Sequence, residues 1–337
     1  MTWPFVFVSS LAVAVVSWAL TGLVLRVLTR KHILDLPNAR SSHDAAKPRG
    51  GGLAVVPVVL LSWLGATLWF DAMSPDFALV LIGAAGLALV SWRDDLKSLP
   101  ALPRIFAQAI AVGICLYGTR EMGPVFQGLL PPLWDRLIAG LLWLWFINLF
   151  NFMDGIDGIS GVESGAIGIG LFLTGVVLTG LNPGVLPPLL LTAASAGFLI
   201  WNWPPSKLFL GDVGSVPLGF LLGWLLLAWA AQGHWAAAAI LPAYYFADAT
   251  ITLGKRGLRG AKVWHAHREH FYQRAVQGGA SHGQVTHGVL ICNVVLIGCA
   301  LIAEAVDAWL GLLGACLTVV GFLWIWARWA RRASPPG

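Results

Sequence analysis

Long apolar runs recur through the sequence about every 20 to 30 residues, and each approaches the length that an α-helix needs to cross a bilayer. The 337 residues are 58% hydrophobic and 11% charged and include 18 Trp, more apolar surface than one water-soluble core can bury. The chain is therefore predicted to be an all-α polytopic membrane protein with one integral-membrane domain, residues 1–337. About eleven transmembrane helices are predicted, at residues 5–28, 53–70, 77–92, 105–117, 133–147, 165–181, 185–201, 216–230, 236–253, 285–303 and 308–326.

Lysine and arginine are distributed unequally between alternate loops. If the N-terminus lies outside, the outer loops carry only Arg120 and Arg136. The inner loops carry Arg30, Lys31, Arg40, Lys47, Arg49, Arg93, Lys97, Arg104, Lys207, Lys255, Arg256, Arg259, Lys262, Arg268, Arg274, Arg328, Arg331 and Arg332. The positive-inside rule then places the inner loops and the C-terminus in the cytoplasm. The net charge of +5 fits this topology and an anionic ligand better than nucleic-acid binding, because no basic stripe with interleaved aromatic residues occurs outside these loops.

The inner loop after the fifth run carries the strongest candidate site. Asn148, Asn151 and Asp154 are spaced three apart at the end of an apolar helix, so they lie roughly along one face, and Asp157 follows. No lysine or arginine occurs between residues 137 and 206. Acids at membrane depth persist mainly where they pair, bind ions or line a wet cavity. We therefore expect partners from other loops or a bound cation.

The first inner loop ends in Lys47-Pro-Arg49 followed by three glycines at residues 50–52. Successive glycines let backbone N–H groups approach an anion closely, and the two cations add charge beside them. A phosphate site and an ordinary basic loop with a glycine-rich helix start are equally compatible with this pattern.

The second inner loop begins with the adjacent carboxylates Asp94 and Asp95, with Lys97 close behind. Like charges held close together raise one pKa or require a cation, which favours a hard metal ion. A solvated acidic and basic turn explains the same residues. The loop alone does not separate these interpretations.

The fourth inner loop places Asp212 between two glycines immediately before an apolar run. Mg²⁺ is commonly held by one or two carboxylates, with water and substrate phosphate oxygens at the remaining positions, so Asp212 with one member of the other clusters suffices. Phe209 offers an aromatic face for a flat base or is a plain interfacial side chain.

The fifth inner loop is rich in histidine and arginine. His267, His270 and Arg274 are spaced as one face of a short helix, with Arg268 between them. A Zn²⁺ site is conceivable, but the neighbouring cations favour a grip on a diphosphate. Asp248, within the ninth run, is expected to pair with this loop or to line the cavity.

In order along the chain, these strings resemble the polyprenyl-phosphate N-acetylhexosamine-1-phosphate transferase superfamily, glycosyltransferase family 4, with its WecA, WbpL and MraY types. The matching strings are Asp94-Asp95-Leu-Lys97, Asn148-Leu-Phe-Asn151-Phe-Met-Asp154-Gly-Ile-Asp157, Phe209-Leu-Gly-Asp212-Val-Gly-Ser215 and His267-Arg-Glu-His270. Glu269 stands where the more common family pattern has a histidine, and the surrounding run looks more like the WbpL-like branch.

The resemblance implies a Mg²⁺-dependent enzyme, with Mn²⁺ as a possible substitute. It would transfer a UDP-linked N-acetylhexosamine 1-phosphate, or its 6-deoxy form, to undecaprenyl phosphate and release UMP. By the same resemblance, initiation of O-antigen or other envelope polysaccharide at the cytoplasmic face of the bacterial inner membrane is expected, with a homodimer possible. Residues 29–52, 93–104, 148–164, 202–215 and 254–284 would form the active site.

The resemblance also implies roles for individual residues. The metal would be held by Asp212, Asn151 and Asp95, and the catalytic group would be Asp94, Asp95, Asp154, Asp157, His267 and His270. Substrate contacts would come from Lys47, Arg49, Lys97, Asn148, Asn151, Phe209, Arg268 and Arg274.

Three other functions remain open on the sequence. A UbiA-like intramembrane prenyltransferase would carry two similar Asp-rich motifs, which Asp94-Asp95 and Asp154-x-x-Asp157 are not. An intramembrane aspartyl protease would not need the basic histidine loop. A secondary transporter, the non-enzyme alternative, predicts inverted repeats and polar residues near the midplane, whereas these acids occur at one surface.

Overall fold

The computed structural model describes residues 1–35, 46–118, 123–261 and 267–332. Arg40, Arg120 and Lys262, used above for the topology, lie outside this part. The described chain contains thirteen α-helices: α1 (Trp3–Arg30), α2 (Gly52–Trp69), α3 (Pro75–Lys97), α4 (Ala101–Gly118), α5 (Pro132–Met153), α6 (Ile159–Thr179), α7 (Leu186–Asn202), α8 (Asp212–Ala231), α9 (Trp235–Ile240), α10 (Ala243–Leu258), α11 (Phe271–Gln277), α12 (His282–Ala305) and α13 (Ala308–Arg332). Two short strands, β1 (Leu34–Asp35) and β2 (Lys47–Pro48), pair antiparallel.

Ten helices of the described chain are long and apolar enough to cross a membrane, namely α1 to α8, α12 and α13. The prediction of an all-α polytopic membrane protein is thereby confirmed. The prediction of one continuous helix over 236–253 is wrong, because the chain breaks between α9 and α10. Pro242 stands at the break, and proline has no N–H with which to continue a helical hydrogen-bond ladder.

Burial divides the helices into a centre and a periphery. In the most apolar 18-residue stretch of each helix, 83% of the residues are buried in α8 and 67% in α6, against 22% in α1 and α13. The outer helices expose large apolar side chains such as Phe7 and Leu89. An apolar exterior around a buried helix suits a lipid solvent, so α8 forms the axis around which the others pack.

The first turns of α2 and α8 are in backbone contact. A Cβ on Gly52 would lie 2.2 Å from both the Cα and the N of Gly214. Only glycine fits at such an approach. The contact places the loop before α2 directly beside the start of α8, where the candidate site lies.

Candidate active site

A backbone seam joins the first and fourth inner loops. The N–H of Phe209 donates to the Pro48 carbonyl at 2.9 Å, and the N–H groups of Gly50 and Gly51 donate to the Phe209 carbonyl at 3.1 and 2.8 Å. Gly52 donates to the carbonyl of Leu210 at 2.9 Å. The three glycine amides thus bond to protein carbonyls, so these glycines join two loops instead of forming the anion cradle considered above.

Asp95 caps the start of α8 from another helix. Its Oδ1 accepts the N–H of Asp212 at 3.0 Å, and its Oδ2 accepts the N–H of Val213 at 2.9 Å. These are two of the four N–H groups that a helix start leaves without an intrahelical partner. The Nε of Arg49 lies 3.0 Å from Oδ1, so both carboxylate oxygens of Asp95 are engaged by protein.

Asp212 begins α8 with a carboxylate that remains 13% exposed. Arg49 forms an ion pair with its Oδ1, and the Nη1 of Arg104 lies 3.5 Å from its Oδ2. Burial alone would lower the pKa of Arg49, but Asp212 and Asp95 hold that pKa above its ordinary value. Two permanent cations and a carboxylate therefore meet at one partly open point.

Asp94 and Arg104 form a second pair beside this point. The Oδ1 of Asp94 accepts the N–H of Leu99 at 2.6 Å, and its Oδ2 accepts the Nη1 of Arg104 at 2.6 Å. Gln108 lines the same small cleft and accepts a hydrogen bond from the Nδ2 of Asn148 at 2.7 Å. Asn148 therefore supports the wall of the cleft behind Arg104.

Asp157 is buried and ties three loops together. It accepts hydrogen bonds from the Oγ and the N–H of Ser206, at 2.7 and 3.0 Å, and the Nζ of Lys47 lies 3.3 Å from its Oδ2. His282 Nδ1 lies 3.5 Å away. Burial alone would raise the pKa of Asp157, but these partners hold it below its ordinary value. The geometry suits a fixed anion that joins loops.

Asn151 and Asp154 line the end of α5. The Oδ1 of Asn151 accepts the hydroxyl of Ser215, in the first turn of α8, at 2.6 Å. Asp154 is half-buried directly after the helix. Burial, reinforced by the negative charges of Asp212 and Asp95, raises the pKa of Asp154 to about 7 despite a hydrogen bond from Ser160 and the charge of Arg49. These contacts place the end of α5 against the start of α8.

The two histidines of the fifth loop lie outside the helix that their spacing predicts. The helix α11 covers Phe271–Gln277, so His267 and His270 precede it, and Arg274 alone lies within it, exposed. The prediction of one helical face with all three is therefore wrong. The two imidazole rings instead stack, with 4.8 Å between centroids and 29° between planes.

Asp248 fixes the start of α11. Its Oδ1 accepts the N–H of Phe271 at 2.9 Å, and its Oδ2 accepts the N–H of Tyr272 at 3.2 Å. The Nδ1 of His270 lies 3.2 Å from Oδ1. The expectation that Asp248 pairs with the fifth loop is confirmed, and the cap explains why the helix begins after His270.

His267 is a neutral hydrogen-bond donor near pH 7. The N–H of Glu269 donates to its Nδ1 at 3.3 Å, so the proton of the neutral ring lies on Nε2. Burial, together with the nearby His270 and Arg256, lowers the pKa of His267 to about 4. Any positive charge that this loop offers an anionic ligand near pH 7 therefore comes from its arginines, not from His267.

Glu269, the departure from the common family pattern, binds the end of α10. It pairs with Arg256 and lies 3.0 Å from the Nη2 of Arg259. Burial alone would raise its pKa, but the two arginines hold the pKa of Glu269 below its ordinary value. The pair anchors the fifth loop at its centre.

The remaining predicted substrate residues lie around this cluster. Lys97 is exposed in the last turn of α3, and Arg268 is half-buried beside His267. Phe209 is half-buried in the backbone seam, with the Nζ of Lys47 5.1 Å from its ring centroid. Arg104 was not predicted as a site residue. The only sequence signal for it was its place in the second inner loop.

The residues around Asp212 differ in how well they suit Mg²⁺. Within the described ranges, no three His, Cys, Asp or Glu side chains group closely enough to hold a metal ion by themselves. Asp212 fits as a ligand, because it is partly exposed and Mg²⁺ takes its other ligands from water and substrate phosphate. Asn151 keeps a second lone pair on Oδ1. Asp95 fits poorly, because α8 and Arg49 already engage both of its oxygens.

The chain is similar to known glycosyltransferases. The sequence model of glycosyl transferase family 4 matches residues 77–230, a range that includes Asp94, Asp95, Asn151, Asp154, Asp157 and Asp212. A putative glycosyltransferase of Streptomyces coelicolor (strain ATCC BAA-471 / A3(2) / M145) is 33% identical over 323 residues, covering 89% of this chain and 74% of the relative.

Two further relatives carry more specific names. A probable undecaprenyl-phosphate N-acetylglucosaminyl 1-phosphate transferase of Bacillus subtilis (strain 168) is 26% identical over 87% of this chain and 83% of the relative. An undecaprenyl-phosphate alpha-N-acetylglucosaminyl 1-phosphate transferase of Yersinia pestis is 28% identical over 88% of this chain and 80% of the relative.

Proposed function

Because the chain belongs to glycosyl transferase family 4, in the polyprenyl-phosphate N-acetylhexosamine-1-phosphate transferase superfamily, we propose that it transfers a sugar 1-phosphate from a UDP-sugar to undecaprenyl phosphate. An oxygen of the lipid phosphate bonds to the phosphorus that carries the sugar. The bond from that phosphorus to the oxygen bridging it to UMP breaks, and UMP leaves with that oxygen.

The observation that carries this proposal is the meeting of Asp212, Arg49 and Arg104, which come from three separate segments of the chain. Phosphoryl transfer depends mainly on positioning and on neutralising charge on phosphate oxygens. Arginine pairs with phosphate oxygens through two parallel N–H donors. Arg49 and Arg104 are 35% and 29% exposed, so both can exchange a carboxylate partner for a phosphate oxygen.

The reaction does not need a strong base. The second pKa of a phosphate monoester is about 6, so the lipid phosphate is already largely ionised near pH 7. Arg104 then holds the attacking phosphate next to Asp94, and Arg49 neutralises the diphosphate. The Nε2–H of His267 donates a hydrogen bond to a diphosphate oxygen without adding charge.

We propose Mg²⁺ as the cofactor, held by Asp212 with Asn151 close by. When bound, Mg²⁺ neutralises diphosphate charge and makes UMP a better leaving group. The carboxylate of Asp95 serves this site indirectly, because its hydrogen bonds to the N–H groups of Asp212 and Val213 fix the position of Asp212.

We further propose that the site faces the cytoplasm of a bacterial inner membrane and that the product initiates an envelope polysaccharide such as O-antigen. The donor would be a UDP-N-acetylhexosamine or its 6-deoxy form. This choice of donor rests on the resemblance of the run around Glu269 to the WbpL-like branch; Glu269, which stands where the more common pattern has a histidine, pairs with Arg256 and Arg259.

A UMP-release assay tests the proposal. Purified protein is incubated with Mg²⁺, undecaprenyl phosphate and, in turn, UDP-N-acetylglucosamine, UDP-N-acetylgalactosamine and their 6-deoxy counterparts. We expect UMP and a lipid diphosphate sugar with at least one donor, and no UMP when the lipid phosphate is left out. Folded protein that releases no UMP from any donor contradicts the proposal.

A further inference from the structure

Asp248 is a fully buried acid beside the fifth inner loop. Its side chain has no exposed surface. Five groups surround its two oxygens: the Nδ1 of His270, the N–H groups of Phe271 and Tyr272, and the hydroxyls of Tyr244 and Thr252, at 2.9 to 3.4 Å. Amide and hydroxyl groups at these positions donate, so only an acceptor without hydrogens of its own suits the position.

His270 cannot reach a ligand from this position. Its side chain is 2% exposed, and its Nδ1 faces Asp248. The half-buried ring of His267 stacks on it, and its Nε2 carries the proton available to a ligand. The two histidines therefore differ in role: His270 supports and His267 donates.

The same acid also ties the histidines to the end of α5. Tyr272, whose N–H donates to Asp248, donates its hydroxyl to the Phe152 carbonyl at 3.3 Å. A Cβ on Gly155 would lie 2.2 Å from that hydroxyl. The segment with Asp154 and the histidine loop are thus packed against each other through one tyrosine.

We propose that Asp248 is a positioning residue for the transfer reaction: it fixes the ring of His270 and, through the stacked ring, holds the Nε2–H of His267 on the diphosphate. A carboxylate that holds a histidine ring by hydrogen bonding sets both its tautomer and its orientation. The inference rests on the proposed function for its effect on turnover, but the effect on the His267 ring does not depend on it.

A matched control exists in the same chain. Asp135, also buried, accepts the N–H groups of Val125 and Phe126 at 3.0 and 2.9 Å. It lies at the start of α5, the opposite end of that helix from Asn151 and Asp154. Asp135→Asn removes a buried acid that caps two consecutive amides, without touching the histidine loop.

The first experiment is a double-mutant cycle on purified full-length protein. UMP release is measured for Asp248→Asn, His267→Ala, the double variant and Asp135→Asn, together with their melting temperatures. We expect Asp248→Asn to lower kcat by about 10- to 100-fold, and the double variant to match His267→Ala within about twofold, because coupled residues are non-additive. We expect Asp135→Asn to lower the melting temperature comparably and to change kcat by less than about twofold.

Two results would overturn the inference. One is a double variant in which the two losses multiply; the other is Asp135→Asn losing as much turnover as Asp248→Asn. If Asp248→Asn does not accumulate, Asp248→Glu keeps both acceptor oxygens and enters the same cycle. We expect Asp248→Glu to recover part of the lost kcat.

The second experiment needs no turnover. The ¹⁵N resonances of histidine-labelled protein report which ring nitrogen of His270 and of His267 carries the proton. We expect the wild type and Asp135→Asn to show the Nδ1–H form of His270, which donates to Asp248, and the Nε2–H form of His267. We expect Asp248→Asn to show a mixture of forms at His270 and a displaced His267 signal, because the two rings stack. An unchanged His267 signal in Asp248→Asn contradicts the inference even if no UDP-sugar is turned over, and a wild type that never releases UMP contradicts only the proposed function.

Discussion

Asp95 and Asp248, in two different regions of the molecule, each cap the start of a helix with a carboxylate. Asp95 lies near the end of α3 and Asp248 lies within α10, and each accepts two consecutive N–H groups from the start of another helix. Asp95 caps α8, which begins with Asp212, and Asp248 caps α11, which follows His270. In both regions the acid holds a residue that the sequence pattern had suggested for the chemistry.

The two regions differ in access to water. Beside Asp95, the carboxylate of Asp212 is 13% exposed and faces two arginines. Beside Asp248, the side chain of His270 is closed off, and only its stacked neighbour His267 is half-open. An exposed carboxylate between cations can exchange partners with a substrate, whereas a buried acid surrounded by donors cannot.

The comparison changes how aspartates at membrane-helix ends are interpreted. Such acids are rare and often functional. Here the carboxylate oxygens of Asp95, Asp157 and Asp248 accept hydrogen bonds from backbone or side-chain donors of the protein. Among these acids and Asp212, Asp212 has the geometry best suited to a cofactor or substrate. Asp95 fixes the position of Asp212, Asp248 holds the ring on which His267 stacks, and Asp157 joins three loops.

The largest effect is expected for Asp212→Asn. The substitution keeps the shape of the side chain but removes the charge that pairs with Arg49 and Arg104 and would hold Mg²⁺. We expect kcat to fall by about 10³-fold or more, as for loss of a main charge-stabilising group. Size-exclusion elution and melting temperature in detergent, expected to stay near wild type, show that the protein still inserts and folds. Substantial turnover in this variant rejects the role of Asp212.

A smaller effect, of a different kind, is expected for Asp95→Asn. Its amide would set an N–H₂ group against α8 or Arg49, so the melting temperature should fall by several degrees and kcat by about 10²-fold. The decisive measurement is the Mg²⁺ concentration for half-maximal activity. We expect it to shift by less than about threefold, because Asp95 caps a helix. A tenfold rise would restore Asp95 as a direct ligand.

A smaller loss of activity is expected for Arg104→Lys than for Asp95→Asn. Lysine keeps the positive charge but lacks the planar guanidinium that can pair with two phosphate oxygens at once, so kcat/KM for the lipid phosphate should fall by about tenfold. KM for the UDP-sugar should change much less. Arg136→Lys serves as the control, because Arg136 lies at the end of α5 away from Asn151 and donates a hydrogen bond to the Leu116 carbonyl. Equal losses in the two variants would contradict a site role for Arg104.

The smallest effect is expected for His267→Gln, which retains a neutral N–H donor. We expect kcat to fall by only about threefold, against about 30-fold for His267→Ala.

The lowered pKa of His267 also predicts how the stability of the fold depends on pH. Because the folded pKa of about 4 is below the ordinary value of about 6.5, folding favours the neutral ring. That contribution is complete above about pH 6.5 and is lost as the pH falls through 4.

Melting temperatures between pH 7 and 4 check this sign. The wild type should lose more stability over that range than His267→Gln, whose amide does not titrate. Identical pH dependence of the two proteins would show that the His267 ring is not held neutral by its surroundings.

Much of the fold was predictable because hydropathy alone marks a membrane helix. Ten predicted spans correspond to helices of sufficient length in the described chain. The exception, 236–253, contains Pro242, and an apolar run does not by itself reveal where a proline breaks the helix. The approach of Gly52 to Gly214 depends on the packing of two helices, which periodicity does not encode.

The sequence predicted several residues that the structure brings together at the candidate site, but it missed Arg104 and did not predict which residues pair. The acids and cations of the inner loops were identified from their unusual placement, yet which cation meets which acid depends on contacts between distant segments. The sequence marks Arg104 only as one of the positive charges of an inner loop, because its position between Asp94 and Asp212 depends on how α3, α4 and α8 are arranged. The helical spacing of His267 and His270 misled because Asp248 starts α11 only at Phe271.

The pairing of Arg49 with Asp212 has a consequence for biogenesis. The two residues are 163 positions apart, so at about 5 to 20 residues per second the ribosome needs about 8 to 33 s to travel between them. In the later part of that interval both Arg49 and Asp95 have been made, but α8, the helix whose start they contact, has not yet been synthesised. This end of the molecule is therefore completed late, and in a nascent chain stopped before α8 the carboxylate of Asp95 lacks the two backbone N–H groups that it accepts in the finished protein.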